Sequence, residues 1–264
     1  MFMLITSVTA NENVCESKCY CGFGNADCSG KGIQKIPLVP DDTINLDIQN
    51  NKITSLSSAI QASIIHLDLT KNNIGSVVKS EIEKFPDLSS INFDDNNIKD
   101  FDSSVFGGML NLKFVMARRN GMRKATLGKL PPKIKIIRLE ENLIRSVEFQ
   151  KSFDRNGSVQ IYLENNPIHC GCKFLEFFHS LESPDVQIFG ECYTPASLKG
   201  HIFSVIRARL DFFCTDDDGY DKNDSSIKIN DTPDNGPDIN NVASTMKETF
   251  SCVMFILVAF LFHL

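Results

Sequence analysis

The sequence predicts an α/β repeat fold, a solenoid of six short turns whose strands stack into one curved parallel sheet, closed at each end by a disulfide-bonded cap. Two observations predict it. Between Thr43 and Ile168 one phrase occurs six times: an apolar-x-apolar pair, then at fixed distance an asparagine, then another apolar residue. Four cysteines precede this array (Cys15, Cys19, Cys21, Cys28) and four follow it (Cys170, Cys172, Cys192, Cys214).

The apolar pairs are Leu46/Ile48, Leu67/Leu69, Ile91/Phe93, Val115/Ala117, Ile137/Leu139 and Ile161/Leu163. Asn51, Asn72, Asn96, Asn120, Asn142 and Asn166 follow them at intervals of 21, 24, 24, 22 and 24 residues, a period that belongs to leucine-rich repeats. Period-two alternation makes each pair a short strand, and one turn buries its apolar corners only against the next. The asparagine suits a place that is buried and polar at once, where its amide satisfies backbone groups of the tight turn leaving the strand. Phe85, Phe106 and Phe153, with Leu88 and Leu112, sit in the connecting arcs and are expected to fill the convex side of the core. This packing, with the apolar C-terminal run, accounts for most of the 20 phenylalanines in a chain without tryptophan.

Eight cysteines in two flanking groups read as disulfides, which persist only in oxidising compartments. Zinc is the rival reading of the first group, but C-x3-C-x-C-x6-C lacks the paired C-x-x-C knuckles of structural zinc sites. Each group of four allows three pairings. Caps have a physical reason, because the end turns of a solenoid would otherwise present an apolar face to water. Phe174, Phe178 and Leu181 recur at helical spacing after Cys172, so a short amphipathic helix is expected over the last turn.

The repeats between these cysteine groups, with N-P-I-H-C-G-C ending at Cys172 and C-x-x-P-x-x-L-x-G from Cys192 to Gly200, resemble the extracellular leucine-rich-repeat family with cysteine-rich caps, over about 200 residues. The resemblance implies pairings Cys15–Cys21, Cys19–Cys28, Cys170–Cys192 and Cys172–Cys214. It also implies binding of a protein ligand on the concave face of the sheet. Lipid-linked members with both caps include neuronal adhesion and axon-guidance receptors and the variable lymphocyte receptors of jawless vertebrates.

The expected organisation is a secretory signal at 1–10, an N-terminal cap at 15–42, six repeats at 43–168, a C-terminal cap at 169–214, a stalk at 215–249 and an apolar segment at 250–264. Residues 1–10 end in Val8-Thr9-Ala10, which fits a small-residue cleavage site. The stalk is acidic and poor in large apolar residues, and such a composition cannot offset its ordering entropy, so it is expected to be disordered. N-x-S/T glycosylation motifs stand at Asn156, Asn223 and Asn230. From Cys252 to Leu264 runs an apolar stretch of 13 residues, about 20 Å as a helix and short of the roughly 30 Å bilayer core. Small residues, a polar spacer and this run fit a glycosylphosphatidylinositol attachment signal, with Asn241 as the attachment residue and Asn240 and Asn235 as alternatives, against a short transmembrane span. Localisation is therefore expected at the outer face of the plasma membrane.

The net charge of −6 comes without a basic cluster of the kind nucleic acid requires. Five scattered histidines show no metal-ligand spacing, and no nucleophile elbow or phosphate loop occurs, so neither enzyme activity nor a metal or cofactor is expected. Asp94 and Asp95 read as a solvated acidic turn. Two functions stay open: a cell-surface recognition or adhesion receptor, and a matrix or structural protein using the array as a spacer.

Residues flanking the buried pairs must line the concave face. The first column is Asn45, His66, Ser90, Phe114, Ile136 and Gln160; the second is Asp47, Asp68, Asn92, Met116, Arg138 and Tyr162; the third is Gln49, Thr70, Asp94, Arg118, Glu140 and Glu164. The first three turns are small, polar or acidic there. Turns four to six bring together Phe114, Met116, Arg118, Ile136, Arg138 and Tyr162, the make-up of an interface hot spot. These six are the expected ligand-binding residues, with Arg138 and Tyr162 as anchors, unless an irregular fourth repeat turns Phe114 inward.

Overall fold

A computed structural model describes residues 14–61, 63–150, 158–180 and 185–207 of the chain. The N-terminal cap forms α1 (Val14–Ser17) and a hairpin of β1 (Tyr20–Gly22) and β2 (Asn25–Asp27). The array follows with β3 (Asn45–Asp47), β4 (His66–Asp68), α2 (Lys79–Ile82), β5 (Ser90–Asn92), β6 (Asp100–Asp102), a 3-10 turn (Ser103–Phe106), β7 (Phe114–Met116), β8 (Lys124–Leu127), β9 (Ile136–Arg138), β10 (Ser146–Phe149) and β11 (Val159–Tyr162). The C-terminal cap adds α3 (Cys172–Ser180), β12 (Val186–Phe189), a 3-10 turn (Ala196–Leu198) and α4 (Phe203–Arg207).

All six predicted strands form and pair parallel in the predicted register, but the sheet is longer than the repeats alone supply. Its order is β1-β2-β3-β4-β5-β7-β9-β11-β12, nine strands, because the caps add β1 and β2 at one end and β12 at the other. Only β1 runs antiparallel. One buried file crosses it, Ala26, Leu46, Leu67, Ile91, Val115, Ile137, Ile161 and Ile188, none more than 6% exposed. Burying one residue per strand fixes register, since a slip of one would move the whole file into water. Behind it, Phe85, Leu88, Phe106 and Leu112 are buried as the arcs predict, whereas Phe153 lies outside the described residues.

The repeated asparagine does more than close its own turn. In each case its Nδ2 donates to a carbonyl of its own turn and to one of the turn before, as Asn142 does to Leu139 at 2.9 Å and Ala117 at 3.0 Å. Its Oδ1 accepts a backbone N–H from the preceding turn, that of Ile53, Ile74, Ile98, Met122 or Ile144 for the second to sixth asparagines. Asn51 does the same for Ile33 of the cap. The ladder holds six turns and the cap in one line, through part-buried bonds in the first turns and buried ones at Asn142 and Asn166. Just before each asparagine the chain passes through positive φ, at Asn50, Lys71, Asp95, Arg119, Glu141 and Asn165. That left-handed residue turns the backbone sharply enough for the amide to reach back.

A second sheet was not legible as such. On the far side of the solenoid β6, β8 and β10 pair parallel in the order β10-β8-β6, burying Phe101, Ala125, Leu127 and Val147.

Both caps are bridged as the resemblance implies, with Cys15–Cys21, Cys19–Cys28 and Cys170–Cys192 bonded. Cys172 is disulfide-bonded too, and its expected partner Cys214 lies outside the described residues. The predicted amphipathic helix is α3, whose Phe174 and Phe178 are buried against Phe203 of α4. Leu181 falls outside the described residues, as do the signal at 1–10, the stalk at 215–249, the apolar segment at 250–264, Asn156, Asn223, Asn230 and Asn241. Among the described residues no helix is long and apolar enough to cross a membrane.

Candidate functional site

The concave face forms in rows, because each flanking residue stands beside its counterpart in the next strand. Ser90, Phe114, Ile136 and Gln160 share one row, and Asn92, Met116, Arg138 and Tyr162 the next. Val115, between Phe114 and Met116, is buried at 1% exposure while its two neighbours stay half-buried. Phe114 therefore keeps its place on the outer face and does not turn inward.

At the N-terminal end the acidic column has a folding role. Asp47 accepts the Gln49 N–H at 3.0 Å, Asp68 that of Thr70 at 2.8 Å, and Asn92 that of Asp94 at 2.9 Å. These side chains close the bend after each strand. From the fourth turn the column switches to Met116, Arg138 and Tyr162, which cannot make that bond. A residue type that gives up a local hydrogen bond on a solvent-facing row has no folding reason to be there.

The fifth and sixth turns and the cap build a stacked platform. Arg138 lies with its Cζ 4.8 Å from the Tyr162 ring centroid, and Tyr162 stacks on Phe189 at 4.8 Å and 18°. Guanidinium over ring and ring over ring are both favourable arrangements. Polar contacts fix it further, since Arg138 Nη1 reaches Glu140 Oε1 at 3.1 Å, Tyr162 Oη donates to Gln160 Oε1 at 3.1 Å and Gln160 Nε2 to Gln187 Oε1 at 3.0 Å. Phe189 was not among the predicted residues, yet a signal was present. Val159-Gln160-Ile161-Tyr162 is echoed by Val186-Gln187-Ile188-Phe189, and the two tetrads pair residue for residue.

Arg118 departs from expectation, and with it the reading of Asp94 as solvated. Asp94 is buried at 1% exposure and receives the Arg118 guanidinium at 2.6 Å and 2.8 Å and the Arg118 N–H at 2.8 Å. A carboxylate taken from water must be paired, so Arg118 is held by the scaffold rather than offered freely to a ligand. Asp95 is likewise held by Arg119, whose hydrogen bond keeps its carboxyl below the usual range.

Beside the platform stand Glu140 and Glu164 in successive turns of the third column. Each buries its Oε2 without a hydrogen-bond partner among the described residues. Burial pushes the Glu140 carboxyl up, and Glu164 adds to this against the opposing pull of Arg138.

No protein-family profile matches the chain. Among curated proteins it is similar to keratocan of Gallus gallus, at 23% identity over 227 residues, 81% of this chain and 62% of keratocan. Prolargin of Mus musculus is 27% identical over 171 residues, 64% of this chain and 39% of prolargin. Oligodendrocyte-myelin glycoprotein of Homo sapiens is 22% identical over 193 residues, 63% of this chain and 43% of its own length. The chain thus matches less than two thirds of each of these relatives. A solved leucine-rich-repeat domain, that of APL1, is 18% identical, with a TM-score of 0.44 over 61% of this chain and 47% of its own. Disulfides in both caps place the described array in an oxidising, extracellular setting. Its six asparagine-laddered turns and cysteine caps make the chain a leucine-rich-repeat solenoid, and the relatives it is similar to are extracellular leucine-rich-repeat proteins.

Proposed function

We propose that the chain is a cell-surface recognition or adhesion receptor that binds a protein ligand on the concave face of its fourth to sixth turns and C-terminal cap. The Arg138–Tyr162–Phe189 stack carries this reading, an ordered cationic and aromatic platform on an outward row, extended by Phe114, Met116 and Ile136. Tyrosine and arginine dominate interface hot spots, and side chains already stacked lose little entropy on binding. The polar spacer and apolar run at 244–264 support a glycosylphosphatidylinositol anchor, with Asn241 as the attachment residue.

One experiment tests both parts. Cells displaying the protein are treated with phosphatidylinositol-specific phospholipase, and the released protein is screened against a library of extracellular domains. Release is expected, and the ligand found should bind Arg138→Ala/Tyr162→Ala about 2 kcal/mol more weakly at unchanged melting temperature. Retention on the cells would contradict the anchor. Full binding by that variant, with loss from Asn45→Ala/His66→Ala instead, would move the site to the N-terminal turns.

A further inference from the structure

Lys99, Arg123 and Arg145 hold one position in three successive turns, three residues after Asn96, Asn120 and Asn142. Backbone bonds set them in file: the Arg123 N–H donates to the Lys99 carbonyl at 2.9 Å and the Arg145 N–H to the Arg123 carbonyl at 3.0 Å. The second sheet starts at the next residue, with Asp100, Lys124 and Ser146 in register. The cations are therefore spaced like neighbouring strands, about 4.8 Å per turn at the backbone. All three are exposed.

Other cations nearby are already committed. Arg118 holds Asp94, Arg119 holds Asp95 and Glu141, Arg138 holds Glu140, and Lys124 holds Glu148. Among the described residues no carboxylate pairs with Lys99, Arg123 or Arg145. Lys99 Nζ donates to Asn97 Oδ1 at 2.6 Å, and it lies where a Cβ on Gly121 would come within 3.1 Å of it. Gly121 thus leaves room for the ammonium beside the next turn. Exposed Asp100 sets one carboxylate beside three cations. His169 continues the file, its N–H donating to the Arg145 carbonyl at 2.8 Å. Its Nδ1 meets Thr194 Oγ1 at 2.9 Å and burial pushes the imidazole down, so it ends the file without charge at neutral pH.

We propose that this file binds an extended sulfated polysaccharide laid along the flank of the solenoid. A chain of net charge −6 has no general attraction for polyanions, so binding would have to be local. Three unpaired cations in single file suit a ligand whose anions repeat along a line, and the guanidinium fork fits planar pairs of oxyanion oxygens. The extracellular setting removes nucleic acid and the anionic cytoplasmic leaflet as competing polyanions. The surface is separate from the concave platform, so this inference stands or falls independently of the proposed protein ligand.

The test is binding of the disulfide-intact protein to immobilised heparin, desulfated heparin and phosphatidylserine vesicles. K99Q/R123Q/R145Q is compared with K113Q/K133Q/K135Q, which removes the same charge from the strand-entry side. The first variant is expected to bind heparin about tenfold or more weakly at 0.15 M salt, with a flatter salt dependence reflecting about two to three fewer released counterions. The second should bind as wild type does, and desulfated heparin should bind neither. Arg145→Glu alone, a milder change to the fold, should act in the same direction. No heparin binding by wild type, equal loss in both triple variants, undiminished binding of desulfated heparin, or vesicle binding through the same three residues would each overturn the proposal.

Discussion

Asn142 joins three carbonyls and two N–H groups of two turns while only 4% exposed, and its bonds to Ala117, Leu139 and Met122 are buried. Asn142→Ala leaves several of these unsatisfied, at about 1–3 kcal/mol for each stranded group. The expected loss is at least about 3 kcal/mol in denaturant unfolding, far above a typical surface change; a loss below about 1 kcal/mol would contradict the ladder. Glu140 gives the opposite sign. Its folded carboxyl is raised by burial above its ordinary value of 4.5, so its ionised form weakens the fold, and the protein is relieved of this as pH falls through the raised value toward 4.5. Glu140→Gln is therefore expected to raise the melting temperature at pH 7, the gain shrinking toward zero below pH 4.5. A gain independent of pH would show that charge is not the cause. At this scale the spacing of the asparagines was plain in the sequence. The pairing of Arg118 with buried Asp94 was not, because which of two adjacent aspartates faces inward depends on the turn geometry.

Element by element, legibility follows how many residues carry each pattern. Six copies of one phrase outweigh any local irregularity, so Val115 and Ala117 form their turn despite Gly121 nearby. The strands β6, β8 and β10 hold only three or four residues, with buried Phe101, Ala125 and Val147 three residues after Ile98, Met122 and Ile144. That alternation exists but is too short to stand apart from a loop. Strand β12 escaped for another reason: it belongs to no repeat, and only its likeness to β11 reveals it. Its position is held by Gly190, where a Cβ would meet the Phe203 ring at 2.6 Å and φ is +153°. Gly190→Ala should therefore shift Phe203 and loosen the cap, lowering unfolding free energy by about 2 kcal/mol. An unchanged melting temperature would show that Phe203 has room to move. Because β12 carries Phe189, the same change should also disturb the aromatic stack.

The whole molecule is one sheet with two unlike ends. At its N-terminal end Asp47, Asp68 and Asn92 spend their side chains on the fold; at its C-terminal end Arg138, Tyr162 and Phe189 are ordered and outward. A cap that closes the core thus also completes the proposed binding face, which would tie the proposed ligand recognition to the integrity of Cys170–Cys192. The most direct measurement is hydrogen exchange of the disulfide-intact protein with and without the proposed protein ligand. Slower exchange is predicted at 114–116, 136–138, 159–162 and 186–189, with β3 and β4 unchanged; slowing confined to β3 and β4, or to the convex strands β6, β8 and β10, would contradict the account.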